Sequence, residues 1–205
     1  MLNFEQNEPS YNLRPLVVYL PLIVLFMAFA AVLSWPMPEL AFRSDSSPVS
    51  WLSSAQLWAM VVLSIRLSLD RALPLLLGLW LAIAMAALAF DEQFMFHEQW
   101  KYGCSDWFTL CRFYWVIEFP TLMVCIVGFL TNLWLHASVP RGLPRWQLWV
   151  AIGIGLFSLS MDLLHFSNEL APYEEGFEVL AEAFYVSFLL GLQPAKNGSQ
   201  VENEE

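Results

Sequence analysis

Charge is what this sequence lacks most. Asp, Glu, Lys and Arg make up 14% of its 205 residues, where a soluble globular protein carries roughly a quarter. That deficit excludes a soluble enzyme and a disordered chain. Basic residues are scarcest: nine Lys and Arg stand against nineteen acids, for a net charge of −10. Nine dispersed cations cannot neutralise a run of phosphates, so nucleic acid is excluded as a partner. Three cysteines are too few for a disulfide-built secreted module. No Gly-rich phosphate loop occurs; Gly153-Ile154-Gly155 lies in an apolar run and reads as a place of close helix packing.

What is abundant is apolar length. Hydrophobic residues reach 58% and the mean hydropathy is +0.54. A helix needs about 20 mostly apolar residues to cross the hydrocarbon core. Six stretches meet or approach that length, at 15–35, 49–65, 72–91, 113–137, 146–166 and 177–192. The expectation is an all-α integral membrane protein, six transmembrane helices in one bundle lying in a lipid bilayer. A short segment, 1–14, precedes the bundle, and a polar, acidic tail, 193–205, expected to be disordered, follows it. The first stretch is longer than a signal-peptide core and follows an acidic rather than a basic segment, so it reads as a retained span.

Orientation follows from Lys and Arg. Six alternating spans put Arg14, Arg66, Arg71, Arg141, Arg145 and Lys196 on one side and Arg43, Lys101 and Arg112 on the other. Both termini are therefore expected in the cytoplasm, in a bacterial inner membrane. Asp70 follows Arg66 at i,i+4, the spacing of a helix-surface ion pair. Cys104 and Cys111 fall in the outer loop between the third and fourth spans, as a disulfide suited to an oxidising compartment or as two unrelated thiols.

The same alternation gathers the ionisable residues. Asp91, Glu92, His97 and Glu98 close the third span, and Glu118 lies near the start of the fourth. Asp162, His165 and Glu169 close the fifth, and Glu174, Glu175, Glu178 and Glu182 open the sixth. All fall in the outer, periplasmic half. Ionisable groups inside a membrane cost about 2.5–3.5 kcal/mol each on insertion scales, so they face a partner or water. Carboxylates drawn together need protons, cations or a metal, and the sequence supplies few cations nearby.

Helical spacing sharpens the picture. Asp162, His165 and Glu169 stand at i, i+3 and i+7, as do Glu175, Glu178 and Glu182, while Asp91 and Glu98 stand at i and i+7; each set shares a face if its helix is continuous. On a continuous third helix His97 lies about 120° from Asp91 and points elsewhere. Bundle sites that bind two metals draw a Glu from each of two helices and Glu-x-x-His from two others; Asp162-x-x-His165 and Glu175-x-x-Glu178 loosely follow that arithmetic. Helices one and two are almost free of polar residues, which argues against a pathway running through to the cytoplasmic side.

The stretch Asp91-Glu92-x4-His97-Glu98 closing one span, with Glu174-Glu175-x2-Glu178 opening a later one, resembles a pattern in uncharacterised bacterial multi-pass membrane proteins. The resemblance covers about two-thirds of the chain and carries no activity with it. A more distant analogy is with ceramidase-type membrane hydrolases, which hold a metal among helices with His and Asp ligands; this chain lacks their several histidines.

Three functions fit these residues. The first is a metal-dependent hydrolase of a lipid or other outer-leaflet substrate. Asp91, Asp162, His165 and Glu178 would hold a divalent ion (Zn, Mn or Fe), and Glu98 or Glu118 would act as general base. The second is a protein that binds or transports a cation or protons through the same acids. The third is an accessory protein that docks a partner on an acidic vestibule. Each residue also has a plainer role. His165 would cap a helix C-terminus, Glu118 would hydrogen-bond to a neighbouring helix, and Glu174 and Glu175 would stabilise a helix N-terminus.

Overall fold

The computed structural model describes residues 10–42, 47–140, 143–163 and 173–193, with the side chains of 10, 162, 163 and 193 left aside. Their regular elements are helices apart from one short antiparallel strand pair. The order is β1 (Ser10–Tyr11), α1 (Arg14–Leu33), α2 (Pro48–Leu69), α3 (Leu75–Phe94), α4 (Phe96–Trp107), α5 (Tyr114–Ile117), α6 (Phe119–Ser138), α7 (Trp146–Leu163), α8 (Glu174–Gly191) and β2 (Leu192–Gln193), with 3₁₀ turns at Pro38–Ala41 and Thr109–Arg112. Among the described residues four helices, α1, α2, α3 and α6, are long and apolar enough to cross a membrane, and α7 contains a shorter apolar stretch, Trp146–Met161. The 18 residues of α8 include four glutamates. The expected segment 1–14 is described from residue 10, and the tail 193–205 only at its first residue.

The exterior is greasy, as lipid requires. Val17, Val18, Leu25, Val32 and Leu33 of α1 are all at least 60% exposed. Only 6% of the apolar stretch of α6 is buried. Because lipid tails give helices no hydrophobic reason to associate, small residues and polar contacts have to hold such a bundle together. Accordingly α8, the central helix, buries Gly176, Ala181, Ala183, Ser187 and Gly191 along with Val179 and Phe188. It packs on α1, α2 and α7, while α3 packs on α2. Ser10 pairs with Gln193 and Tyr11 with Leu192, so the start of α1 and the end of α8 lie at the same end of the bundle.

Local chemistry sets the helix ends. Ser47 caps α2, its hydroxyl accepting from the Ser50 amide at 3.1 Å, with Pro48 in the first turn, where a missing N–H costs nothing. At the other end the amides of Ala72 and Leu73 fold back on the Leu67 carbonyl at 2.8 and 3.1 Å, and Arg71 takes a left-handed φ of 57°. Pro74 then starts α3. The second span thus runs to Leu69, four residues past its expected end, and the third begins three residues late. Arg66 and Asp70 do pair, at 3.5 Å on the surface.

Two expectations fail on backbone geometry. The fourth span does not begin at Phe113. A single turn, α5, precedes Glu118, and the membrane-length helix starts afresh at Phe119 with Pro120 in its first turn. Proline lacks the amide that a continuous helix would use and crowds the preceding turn. The glycine pair, for its part, does not mark a close helix contact. A Cβ on Gly153 would meet nothing within 4 Å, and one on Gly155 would make ordinary contact with Ala181 at 3.8 Å. The close approach is at Gly78, where a Cβ would sit 1.5 Å from the Ser68 Oγ and 2.8 Å from the Ser64 carbonyl oxygen. Glycine is what lets α3 lie directly against α2 there.

Candidate functional site

The face of α2 that meets α3 and α8 is polar. Ser50, Ser53 and Ser54 stand at i, i+3 and i+4, with Gln56 beside them, and all four are buried. α3 brings Asp91, Glu92 and Gln93 to this region in its last turns; α8 brings Glu175, Glu178 and Glu182 in its first. The three helices are stitched by side chains. Ser50 Oγ donates to Glu92 Oε1 at 2.7 Å, and Gln93 Nε2 donates to Ser54 Oγ at 2.7 Å. Ser53 Oγ donates to Glu182 Oε1 at 2.8 Å, while Gln56 Nε2 reaches the Val179 carbonyl at 3.2 Å and Glu182 Oε2 at 3.4 Å. From α1, Tyr19 donates its hydroxyl to Gln56 Oε1 at 3.2 Å. The result is a seam of hydroxyls, amides and carboxylates at the end of the bundle opposite Arg66 and Arg71. Glu92, Glu175 and Glu178 are the electrostatic neighbours of Glu182.

Helices one and two, expected to be almost free of polar residues, nevertheless contribute to the seam. Tyr19 and four residues of α2 belong to the seam. The signal was present in the Ser spacing. That signal is faint, because a serine hydroxyl can satisfy itself locally on a helix and so announces no site by itself.

His97 is placed by a break in the chain. Met95 adopts φ 53° and ψ 42°, a left-handed conformation that ends α3 and turns α4 away. The projection that sent His97 120° from Asp91 assumed an unbroken helix. With the break, the His97 backbone amide donates to Asp91 Oδ1 at 2.9 Å and its Nδ1 lies 2.8 Å from Oδ2. Both Asp91 oxygens are engaged by one residue. The Asp91 hydrogen bond and charge, reinforced by Glu98 and Glu178, push the imidazole up to about 9, against the opposing effect of its partial burial. Asp91 and Glu98 do not share a helix face, since Glu98 belongs to the first turn of α4.

Glu118 lies between α5 and α6, almost wholly buried, and pairs with Lys101 of α4 at 3.6 Å. Trp100 Nε1 donates to the Val116 carbonyl at 3.0 Å, and a disulfide joins Cys104 to Cys111. Together these fasten α4 and α5 over the end of the bundle where α3 finishes. Glu118 is thus a buried carboxylate with an ammonium beside Oε1, while its Oε2 has no hydrogen-bond partner.

Of the expected metal ligands, Asp91 and Glu178 are described. The Asp162 side chain and His165, with Glu169, lie outside the described residues. Among the described residues no group of three or more His, Cys, Asp and Glu side chains is arranged to hold a metal ion. At the opposite end, Tyr11 donates to Gln147 Oε1 at 3.0 Å, and Trp80 Nε1 donates to Thr131 at 2.9 Å. No family model matches this chain, and no curated protein or solved structure matches it.

Proposed function

We propose that this is a cation-binding membrane protein whose acidic seam takes up a proton, with Glu182 as the group that carries it. One observation bears most of the weight: Glu182 is held by Ser53 and Gln56 and has Glu92, Glu175 and Glu178 for electrostatic neighbours. Carboxylates so gathered repel unless a positive ligand joins them, and a proton shared within hydrogen-bonding reach is the smallest such ligand. The serines and Gln56 are neutral donors and acceptors that serve either charge state. Glu175 and Glu178 are half-buried, whereas the Glu182 carboxyl is buried against Ser53 and Gln56.

The other readings draw less from the geometry. A metal-dependent hydrolase would need Asp91 as a ligand, and both of its oxygens face His97. A docking vestibule calls for acids presented outward, whereas Glu92 and Glu182 are bonded within the bundle.

The same proposal takes α7 and α8 as spans five and six, with both termini cytoplasmic and the seam periplasmic. Support comes from the Lys and Arg asymmetry, from β1 and β2 meeting at one end, and from a disulfide at the other. A reporter fused after Leu192 is expected to read cytoplasmic.

The test is infrared spectroscopy of the protein in lipid nanodiscs at neutral pH. A protonated-carboxyl band that shifts in heavy water is expected, lost in Glu182→Gln and retained in Glu118→Gln. A spectrum without that band, or one unchanged by Glu182→Gln, refutes the assignment. Stoichiometric metal in purified protein, lost in Glu182→Gln, would replace the proton with a metal ion.

A further inference from the structure

The end of the bundle opposite the seam holds a cleft of about 650 Å³ between the α2–α3 turn and the end of α6. Its walls include Ser68, Arg71, Leu73, Leu75, Ser138 and Pro140. A volume of this size accommodates a headgroup-sized ligand. The three described arginines near it have different duties. Arg66 is paired with Asp70. Arg145 donates through Nε to the Pro140 carbonyl at 3.3 Å and through its terminal nitrogen to the Val139 carbonyl, which fixes its charge at the α6 edge. Arg71 lines the cleft itself, on the turn whose backbone amides are already spent on α2. The rim is apolar and open: Leu69, Leu75 and Leu76 are 74%, 60% and 71% exposed. Beside it runs α6, with most of its apolar surface outward.

A cationic side chain in a cleft at a helix end, with apolar walls continuing toward the hydrocarbon, matches one ligand chemistry: a phosphate monoanion or diester attached to acyl chains. We propose that the cleft between the α2–α3 turn and α6 binds a single anionic phospholipid, its phosphate on Arg71 and its chains along Leu75, Leu76 and the outward face of α6. Arg145, held on the Val139 and Pro140 carbonyls, adds a second positive charge at the edge. This site is independent of the acidic seam and of the proton reading.

Native mass spectrometry of the detergent-purified, full-length protein, titrated with phosphatidylglycerol or with phosphatidylcholine of the same acyl chains, tests it. The expected result is one tightly bound phosphatidylglycerol, preferred over phosphatidylcholine and weakened about tenfold in Arg71→Gln, the effect of losing one charge-assisted contact. Arg66→Gln removes an equal charge just outside the cleft and is expected to leave binding unchanged. Equal binding of the two lipids, or equal losses in the two variants, would overturn the site in favour of general surface attraction. Displacement of the lipid by millimolar inorganic phosphate alone would overturn the lipid assignment in favour of a free-anion site. Circular dichroism of both variants checks that they remain helical; an unfolded Arg71→Gln is replaced by Arg71→Lys, for which weaker, non-bidentate phosphate binding is expected, and undiminished binding would count against the proposal.

Discussion

His97 offers the sharpest quantitative expectation, because the Asp91 contact that does most to raise its pKa depends on the break at Met95. In the unfolded chain its imidazole titrates near 6.5; in the folded protein, beside Asp91, Glu98 and Glu178, it titrates near 9. A group raised on folding contributes stability that is fully present below about pH 6.5 and lost as the pH climbs through about 9. Taken at full value the shift corresponds to about 3 kcal/mol. The side chain is 39% exposed, however, so water screens the pair and the working figure is about 1 kcal/mol. For a chain of this size that is about 2–4 °C in thermal midpoint. The perturbation is His97→Gln, which retains hydrogen-bonding capacity and removes the charge. Thermal midpoints of both proteins in the same detergent, from pH 6 to pH 10, are expected to converge: wild type is the more stable at pH 6 and loses that advantage by pH 10. Nuclear magnetic resonance titration of the ring, assigned by the same variant, is expected to place His97 near 9. A gap between the two midpoints that stays constant or widens with pH would show that the Asp91 contact carries no charge-dependent stability, and the argument from the Met95 break would fail with it.

Three further outcomes follow from the packing. Gly78→Ala drives a methyl against the Ser64 carbonyl oxygen and is expected to lower stability by about 1–3 kcal/mol; Gly78→Ala with Ser68→Ala should recover only part of this, because the carbonyl cannot retreat, and thermal midpoints measure both. Lys101→Met leaves the buried Glu118 without its ammonium and is expected to cost on the order of 3–5 kcal/mol, with Glu118→Gln in the same protein restoring most of the loss. Cys104→Ser with Cys111→Ser opens a crosslink between residues seven apart in sequence, worth about 2.5 kcal/mol by loop entropy; limited proteolysis is expected to cut first between α4 and α6.

The membrane character of this chain was legible without any structure, since apolar runs of spanning length in a charge-poor sequence leave a helix few other solvents. So was the gathering of Glu175, Glu178 and Glu182 on one face of one helix, because 3.6-residue periodicity is local and α8 is continuous through them. The Arg66–Asp70 pair was legible for the same reason. Spacing misled where a helix was interrupted. At Met95 the left-handed turn replaced an i,i+7 relation between Asp91 and Glu98 with a direct His97–Asp91 contact, and before Pro120 the helix restarts, so that Glu118 lies between α5 and α6 beside Lys101.

Periodicity along the chain thus determined which residues could share a face, and composition determined that those faces would lie in lipid. Only the tertiary structure decided which faces meet. The serines of α2 and Tyr19 became part of the seam because α8 packs between α1, α2 and α7, and because Gly78 lets α3 close onto α2. A hydroxyl is nearly silent in sequence, since it can satisfy itself on its own helix; it acquires a role once another helix brings a carboxylate within hydrogen-bonding distance, as α8 brings Glu182 to Ser53 at 2.8 Å.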